Sequence, residues 1–444
     1  MQPEVLVGDC RERLKELPDG SVHCCITSPP YWGLRDYGTG TWEGGDPDCD
    51  HVERNARNDV SAEELARRAA AYGTGTGNGS KVSSIGYRDV CGKCGARRID
   101  KQIGLEETPD GHVVALVGVF REVKRVLRDD GQLWLNYGDC YASTPNGRSA
   151  ADTKAAGRDD RTFRDKPFST VTAGLKAKDL IGLPWMVAFA LRADGWYLRS
   201  AITLCKNNPM PESVTDRPTS ATEMLFLLTK QPRYYFDQEA VREPCTPESV
   251  RTARYALHRQ PKMDASRNDQ DSIHRHVNPA GRNMRNWLVL NSQPLAEAHF
   301  ATFPEKLVEP CILAGTSQYG ACQECGAPWK RVVEKGDLVP AGPSPNRTAP
   351  LPRNGSDPGD QGSNRARDGH RARMAYERKQ KGWEKTCQCE TDETVPCTVM
   401  DIFGGSGTVG KVATKLGRRS ILIELNESYV DIIRKRNAQL GLGV

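Results

Sequence analysis

The chain lacks any apolar run approaching the roughly 18–20 residues that a membrane-spanning helix needs. Its opening residues, "MQPEVLVGDC", lack the basic, apolar and small-residue order of a secretion signal. Hydrophobic residues make up only 37% of the 444 and aromatics 7%. The net charge is only +5, too small to make the whole chain a polyelectrolyte. No convincing internal repeat is present. The expectation is a soluble, intracellular protein without a repeat architecture.

What is abundant is glycine (42), proline (28) and cysteine (15). Glycine and proline in such numbers predict a normal core carrying long polar loops. The length suffices for one large domain with insertions, or for two or three domains. Cysteines without a secretion signal read as thiols or metal ligands, not disulfides. Charge is concentrated locally: residues 241–290 hold nine Arg/Lys against five acids, with His258, His274 and His276 among them. Such a stretch suits phosphate neutralisation, or is simply a solvated loop.

The coarse pattern is α/β. "EVLVG" at 4–8 and "SVHCCIT" at 21–27 read as buried strands. Between them lies a short amphipathic helix with Leu14 and Leu17 inward. Thr108 followed by Pro109 marks a helix start. Val113, Leu116, Val117, Phe120, Val123 and Leu127 recur at helical spacing, and Gly131 closes that unit before a strand, "QLWLNYGD". A helix is predicted over 177–195, then strands at "YLRSAITLCK" and "EMLFLLTK". Alternation of this kind predicts a parallel-type sheet with helices on both faces. Residues 52–90, 143–172, 241–285 and 335–385 read as loops.

Near the end, "MDIFGGSGTVG" places Gly404, Gly405, Gly407 and Gly410 directly after a strand. Glycines let a backbone turn sharply and approach a ligand closely. Glu424 ends the next strand, where an acid can accept from ribose hydroxyls. The pair points to a nucleoside-containing cofactor, against the plainer reading of a tight structural turn. Near the start, "TSPPYW" at 27–32 is a rigid loop poor in backbone donors, because proline fixes φ and has no N–H.

Together "TSPPYW" and "DIFGGSGT" resemble the catalytic and cofactor motifs of amino-directed DNA methyltransferases that use S-adenosylmethionine. Catalytic motif first and cofactor motif last matches their circularly permuted beta class. "CKNNPMPESVTDRPTSATEMLFLLTK" (205–230) resembles the segment beside the target-base pocket in that family. "FATFPEKLVEPCILAGTS" (300–317) resembles the segment lining the methionine side, with Phe303 and Pro304. "VGDC" resembles the acidic strand end near the adenine, with Asp9. The resemblance implies a base flipped from duplex DNA and a catalytic set of Ser28, Pro29, Pro30, Tyr31 and Trp32. It also implies a cofactor set of Asp9, Phe303, Pro304, Asp401, Phe403, Gly404, Gly405, Ser406, Gly407, Thr408 and Glu424. An exocyclic amine is a poor nucleophile, and acceptors such as Ser28 Oγ and the Pro29 carbonyl would orient its lone pair. Tyr31 would stack on the base and Trp32 would add to the wall. Serine before the proline pair is more typical of cytosine-N4 methylation; adenine-N6 is the alternative. Methylation at cytosine carbon 5 is the disfavoured third possibility: the Pro-Cys pairs at Cys245, Cys311 and Cys397 sit in no matching loop and read as incidental or core cysteines, and no Glu-Asn-Val motif is present.

Two cysteine modules remain. Cys49 and His51 precede Cys91 and Cys94, and Cys322 and Cys325 precede Cys387 and Cys389. Each set suits a tetrahedral structural zinc clamping the base of an insertion; free loop thiols are the plain alternative. Cys397 is a substitute ligand for the second set. Asp139 either lines the site or caps a loop, Asp401 either contacts the methionine amino group or closes the glycine turn, and Arg217 and Glu223 form a candidate pair.

The expected protein is a permuted Rossmann-like methyltransferase sheet. Residues 1–240 form its catalytic half, with a zinc-clamped insertion at 45–98. Residues 241–298 carry target recognition, and 299–444 form the cofactor half, with a second clamped insertion at 322–389. It acts on double-stranded DNA in the cytoplasm of a bacterial or virus-infected cell, as monomer or homodimer, with a restriction enzyme as a candidate companion. A non-catalytic zinc-containing DNA-binding module is the rival of another class.

Overall fold

A computed structural model describes residues 2–34, 39–49, 91, 93–143, 170–171, 174–209, 211–244, 281–291, 304–341 and 373–438. The first strand, β1 (Glu4–Val7), runs into α1 (Cys10–Arg13) and a single 3-10 turn, Leu14–Glu16. Asp9 caps α1, its Oδ1 accepting from the Arg11 amide at 2.9 Å. Leu14 and Leu17 point inward as their spacing predicts. Next come β2 (Val22–Thr27), β3 (Thr41–Glu43), β4 (Arg97–Ile99), α2 (Pro109–Val126) and β5 (Leu127–Tyr137). Thr108 caps α2 through the Gly111 amide, with Pro109 in the first turn where its missing N–H costs nothing.

After these come α3 (Leu183–Ala193), β6 (Tyr197–Lys206), β7 (Thr222–Thr229), β8 (Trp287–Leu290) and α4 (Glu305–Gly315). The last part holds β9 (Ala321–Cys322), β10 (Lys330–Ala341), β11 (Arg373–Glu384), β12 (Thr394–Val395), β13 (Thr398–Asp401), α5 (Thr408–Lys415), β14 (Arg419–Glu424) and α6 (Glu427–Ala438).

Eight strands form the central sheet in the order β1-β14-β13-β2-β5-β7-β6-β8. From β1 to β5 every pairing is parallel, as the strand–helix alternation predicts. Strand β7 reverses direction between β5 and β6. Residues on β2 and β5 alternate between two cores. Cys25, Leu133 and Leu135 face a cluster with Leu116, Phe120 and Leu191 of α2 and α3. Cys24, Ile26 and Trp134 face one with Val308, Ile312 and Val412 of α4 and α5. The sheet is therefore covered on both sides, and all six residues of β2 are buried.

Four details differ from the sequence reading. Strand β5 begins directly at Leu127 and passes through Gly131, which does not separate helix from strand. A Cβ on Gly131 would meet the His23 carbonyl oxygen at 3.0 Å, so glycine permits the close approach of the two strands. The helix expected over 177–195 is shorter, starting at Leu183 after Gly182, whose φ is +81°. Within the expected loop 335–385, β10 and β11 pair antiparallel as a two-stranded ribbon with two register shifts. Strand β8, inside the stretch expected to carry target recognition, is the last strand of the central sheet. Residues 52–90 and 245–280, and most of 143–172, lie outside the described residues.

Candidate active site

The parallel register brings five strand ends to one edge. Val7 pairs with Glu424, Leu422 with Asp401, and Thr27 with Leu135. Asp9, Glu424, Asp401, Ser28 and Tyr137 therefore lie at the carboxyl ends of neighbouring strands. In an open parallel sheet that is where ligands bind.

The two motifs meet directly. Thr27 Oγ donates to Asp401 Oδ1 at 2.7 Å, across 374 positions of sequence. The same oxygen accepts from the Phe403 amide at 3.1 Å. Asp401 thus closes the glycine turn and ties it to the strand that launches "SPPYW". Burial pushes its pKa up to about 7.

In the turn itself, the Gly404 amide donates to the Ile423 carbonyl at 2.8 Å, and Gly407 donates back to Gly404 at 2.8 Å. Gly405 and Gly407 hold φ of +49° and +76°, a region that favours glycine. Glu424 Oε2 accepts from the Gly405 amide at 2.7 Å and Oε1 from Asn426 at 2.8 Å. Burial raises its pKa. Ser406 is held through its carbonyl oxygen by Arg436 at 2.6 Å, and Thr408 opens α5 from a buried position. Pro304 stands at the start of α4; Phe303 and His51 lie outside the described residues. Asp9 sits at the shared edge but is engaged by Arg11, at 2.6 Å. Burial would raise its pKa, and the hydrogen bonds and charge of Arg11 more than offset this, leaving it low.

In the "SPPYW" loop, Ser28 Oγ is 3.5 Å from the Tyr31 hydroxyl. The Tyr31 ring stacks on Tyr137 with centroids 4.9 Å apart. Trp32 departs from its expected place on a pocket wall. It is fully buried, and its Nε1 donates to the Glu106 carbonyl at 2.6 Å, so it anchors the loop from below. Behind the stack runs a buried relay absent from the sequence reading. His112 Nε2 lies 2.6 Å from Tyr137 Oη, and its Nδ1 lies 2.7 Å from Glu106 Oε2. Burial works to raise the Glu106 pKa, and the hydrogen bond and charge of His112 bring it below the usual range. The Gly104 amide also donates to Glu106 Oε2, at 2.9 Å. The one hint of this relay in the sequence is "NYG" at the end of a strand.

Other candidates separate. Asp139 accepts from the Gly182 and Leu183 amides at 3.0 and 3.2 Å, so it caps α3. Glu223 pairs with Lys206, and Arg217 pairs with Glu212 at 2.6 Å, so the expected Arg217–Glu223 pair does not form. Lys206 and Glu223 stand on neighbouring β6 and β7, and Asn136 Nδ2 of β5 reaches the Met224 carbonyl at 3.1 Å. The thiols of Cys49, Cys91 and Cys94 come together, as do those of Cys322, Cys325, Cys387 and Cys389. Cys397 is buried apart from them in front of β13.

The chain also matches known proteins in sequence. A family model described as DNA methylase matches residues 22–323 and 397–435. The Type II methyltransferase M.Cfr9I of Citrobacter freundii is 34% identical over 429 residues, 97% of this chain and 85% of that protein. M.XycI of Xanthomonas campestris pv. cyanopsidis, also a Type II methyltransferase, is 36% identical over 324 residues, 71% of this chain and 76% of its own length. Among solved structures, the PvuII DNA methyltransferase (cytosine-N4-specific) aligns over 98% of this chain and 86% of its own, with 14% identity and a TM-score of 0.44. By its sequence and by these relatives, the chain belongs to the N6/N4 family of DNA methylases.

Proposed function

We propose that the protein is a site-specific methyltransferase of duplex DNA that modifies the exocyclic amino group of a flipped base, cytosine N4 first and adenine N6 second. The observation that carries this is the Thr27–Asp401 hydrogen bond, which sets the "SPPYW" loop beside the glycine turn at one sheet edge. The Type II relatives support the setting of a modification enzyme with a cognate restriction partner.

The residues at the glycine turn fit S-adenosylmethionine. A Cβ on Gly405 would meet nothing nearer than the Phe403 carbonyl oxygen at 3.8 Å, so the turn is open on that side. Glu424 supplies a carboxylate at the end of the adjacent strand, with lone pairs left over for ribose hydroxyls. When bound, the cofactor supplies an electrophilic methyl group. Everything else is the work of the chain. Ser28 Oγ and the Pro29 carbonyl accept from the target amine and turn its lone pair outward. Tyr31 offers a flat face to the base. The proline pair and the buried Trp32 keep the acceptors from drifting, so rate comes from orientation more than from acid or base strength. Strands in the permuted order, catalytic before cofactor, support the beta-class arrangement. Serine at position 28 favours cytosine over adenine through the family resemblance.

The decisive experiment is methylation-aware sequencing of DNA from cells expressing the protein, beside cells expressing Ser28→Ala. The expected result is 4-methylcytosine at one short sequence, lost in the variant while calorimetry shows cofactor binding retained. 6-Methyladenine would select the second reading. Unmodified DNA from a protein that gives no calorimetric signal with S-adenosylmethionine would favour the binding-module rival.

A further inference from the structure

We infer that Cys322, Cys325, Cys387 and Cys389 bind a single structural zinc ion that closes the base of the β10–β11 ribbon and fastens it to the central sheet. The four sulfur atoms all lie within 4.8 Å of one another, and none is in a disulfide. Tetrahedral zinc–thiolate bonds of about 2.3 Å place sulfurs about 3.8 Å apart, so the cluster needs only slight contraction to grip an ion.

The backbone around them is shaped for the purpose. The Gly326 amide donates to the Cys322 carbonyl at 2.8 Å, and the Cys322 amide donates to Ala327 at 2.9 Å. Gly326 takes φ of +71° to close the turn. The same turn recurs far away in sequence. Gly95 donates to the Cys91 carbonyl at 2.9 Å, Cys91 donates to Ala96 at 2.7 Å, and Gly95 has φ of +74°. Both stretches read Cys-x-x-Cys-Gly-Ala. At the second, Cys49 Sγ and Cys91 Sγ stand 3.8 Å apart, the edge length of a zinc–sulfur tetrahedron.

The module also has a mechanical position. Strand β10 leaves it shortly after Cys325, and β11 returns just before Cys387. Thr386 Oγ donates to the Pro328 carbonyl at 2.7 Å, and β12 pairs with β9, so both halves of the cluster belong to one unit. Two side chains of the sheet, buried His23 and partly exposed Arg128, hold that unit in place. His23 Nδ1 of β2 accepts from the Thr398 amide at 3.0 Å, which leaves the proton on Nε2 to donate to the Gly326 carbonyl at 2.9 Å. Arg128 of β5 donates to the Cys325 carbonyl at 2.8 Å. An ion here would fix the ribbon relative to β2 and β5.

The test uses the full-length protein, expressed with zinc and purified without chelator. Elemental analysis should show the Cys325→Ser/Cys389→Ser variant carrying about one zinc per chain fewer than wild type. Limited proteolysis should cut the variant within 322–389 under conditions that leave wild type intact, while calorimetric S-adenosylmethionine binding persists. Should the double variant not fold, cobalt-substituted wild type and Cys389→Ser decide. Wild type should show thiolate-to-cobalt charge-transfer absorption, and the single variant less of it. Equal zinc in variant and wild type, folded wild type free of zinc, iron in its place, or a disulfide among the four cysteines by mass spectrometry would each overturn the assignment.

Discussion

His112 is hydrogen-bonded through Nε2 to the Tyr137 hydroxyl at 2.6 Å, in a pocket closed to solvent. Glu106 lies ionised on the other ring nitrogen, so His112 Nδ1 donates to it. Tyr137→Phe keeps the ring under Tyr31 and leaves Nε2 buried without its partner. We expect unfolding free energy to fall by about 1–3 kcal/mol in denaturant titrations. A variant as stable as wild type would show that the stack alone supports the loop.

Gly138 lies against the Tyr31 ring. A Cβ there would come within 2.7 Å of Tyr31 Cε2. In Gly138→Ala the ring must move, at a cost of about 1–3 kcal/mol. Turnover on DNA should drop roughly tenfold or more, with cofactor affinity unchanged by calorimetry. Parallel losses of both would mean general unfolding.

The glycine turn can be probed against a control. Gly407 and Gly417 hold nearly the same φ, +76° and +72°. At Gly407 a Cβ would also meet Ile433 at 3.0 Å, whereas at Gly417 nothing lies within 4 Å. Gly417→Ala should cost about 1–2 kcal/mol of stability for the left-handed backbone alone. Gly407→Ala should cost more and also weaken S-adenosylmethionine binding. Equal behaviour in thermal melts and calorimetry would detach Gly407 from the cofactor turn.

Asp401 makes stability depend on pH in a definite sense. Its pKa is about 7 when folded, against an ordinary 3.8. Between those values the folded chain holds a proton that the unfolded chain has released, so stability falls as pH rises through the window and levels off above about 7. Asp401→Asn keeps the Oδ1 acceptor for Thr27 and Phe403 and cannot titrate. Melting temperature should therefore decline less between pH 5 and pH 8 in the variant than in wild type. Matching slopes would place the proton elsewhere.

Much of this was legible in the residues themselves. The buried strand at 22–27, the Thr108 cap, the glycine turn and the acid ending β14 all follow from local pattern, because each depends on near neighbours in sequence. Gly131 misled because its role is a close approach to His23, set by strand pairing and invisible locally. The ribbon at 330–341 and 373–384 escaped notice because polar, glycine-bearing strands carry no alternation. Trp32 looked like a binding surface because an aromatic after prolines has no address until Glu106 offers its carbonyl. His112 and Glu106 were silent, since a relay assembled from a helix and the loop before it leaves no spacing to read.

The hydrogen bond from Thr27 to Asp401 has a thermodynamic meaning as well as a geometric one. It is shared property of the strand that leads into the proposed target-binding loop and of the glycine turn proposed to face the cofactor. Whatever strengthens or strains it from one side is felt on the other. Reciprocity then requires that any gain in base capture caused by a filled cofactor site be matched by an equal gain in cofactor retention once a base is held. Order of arrival would change the path and leave the sum the same.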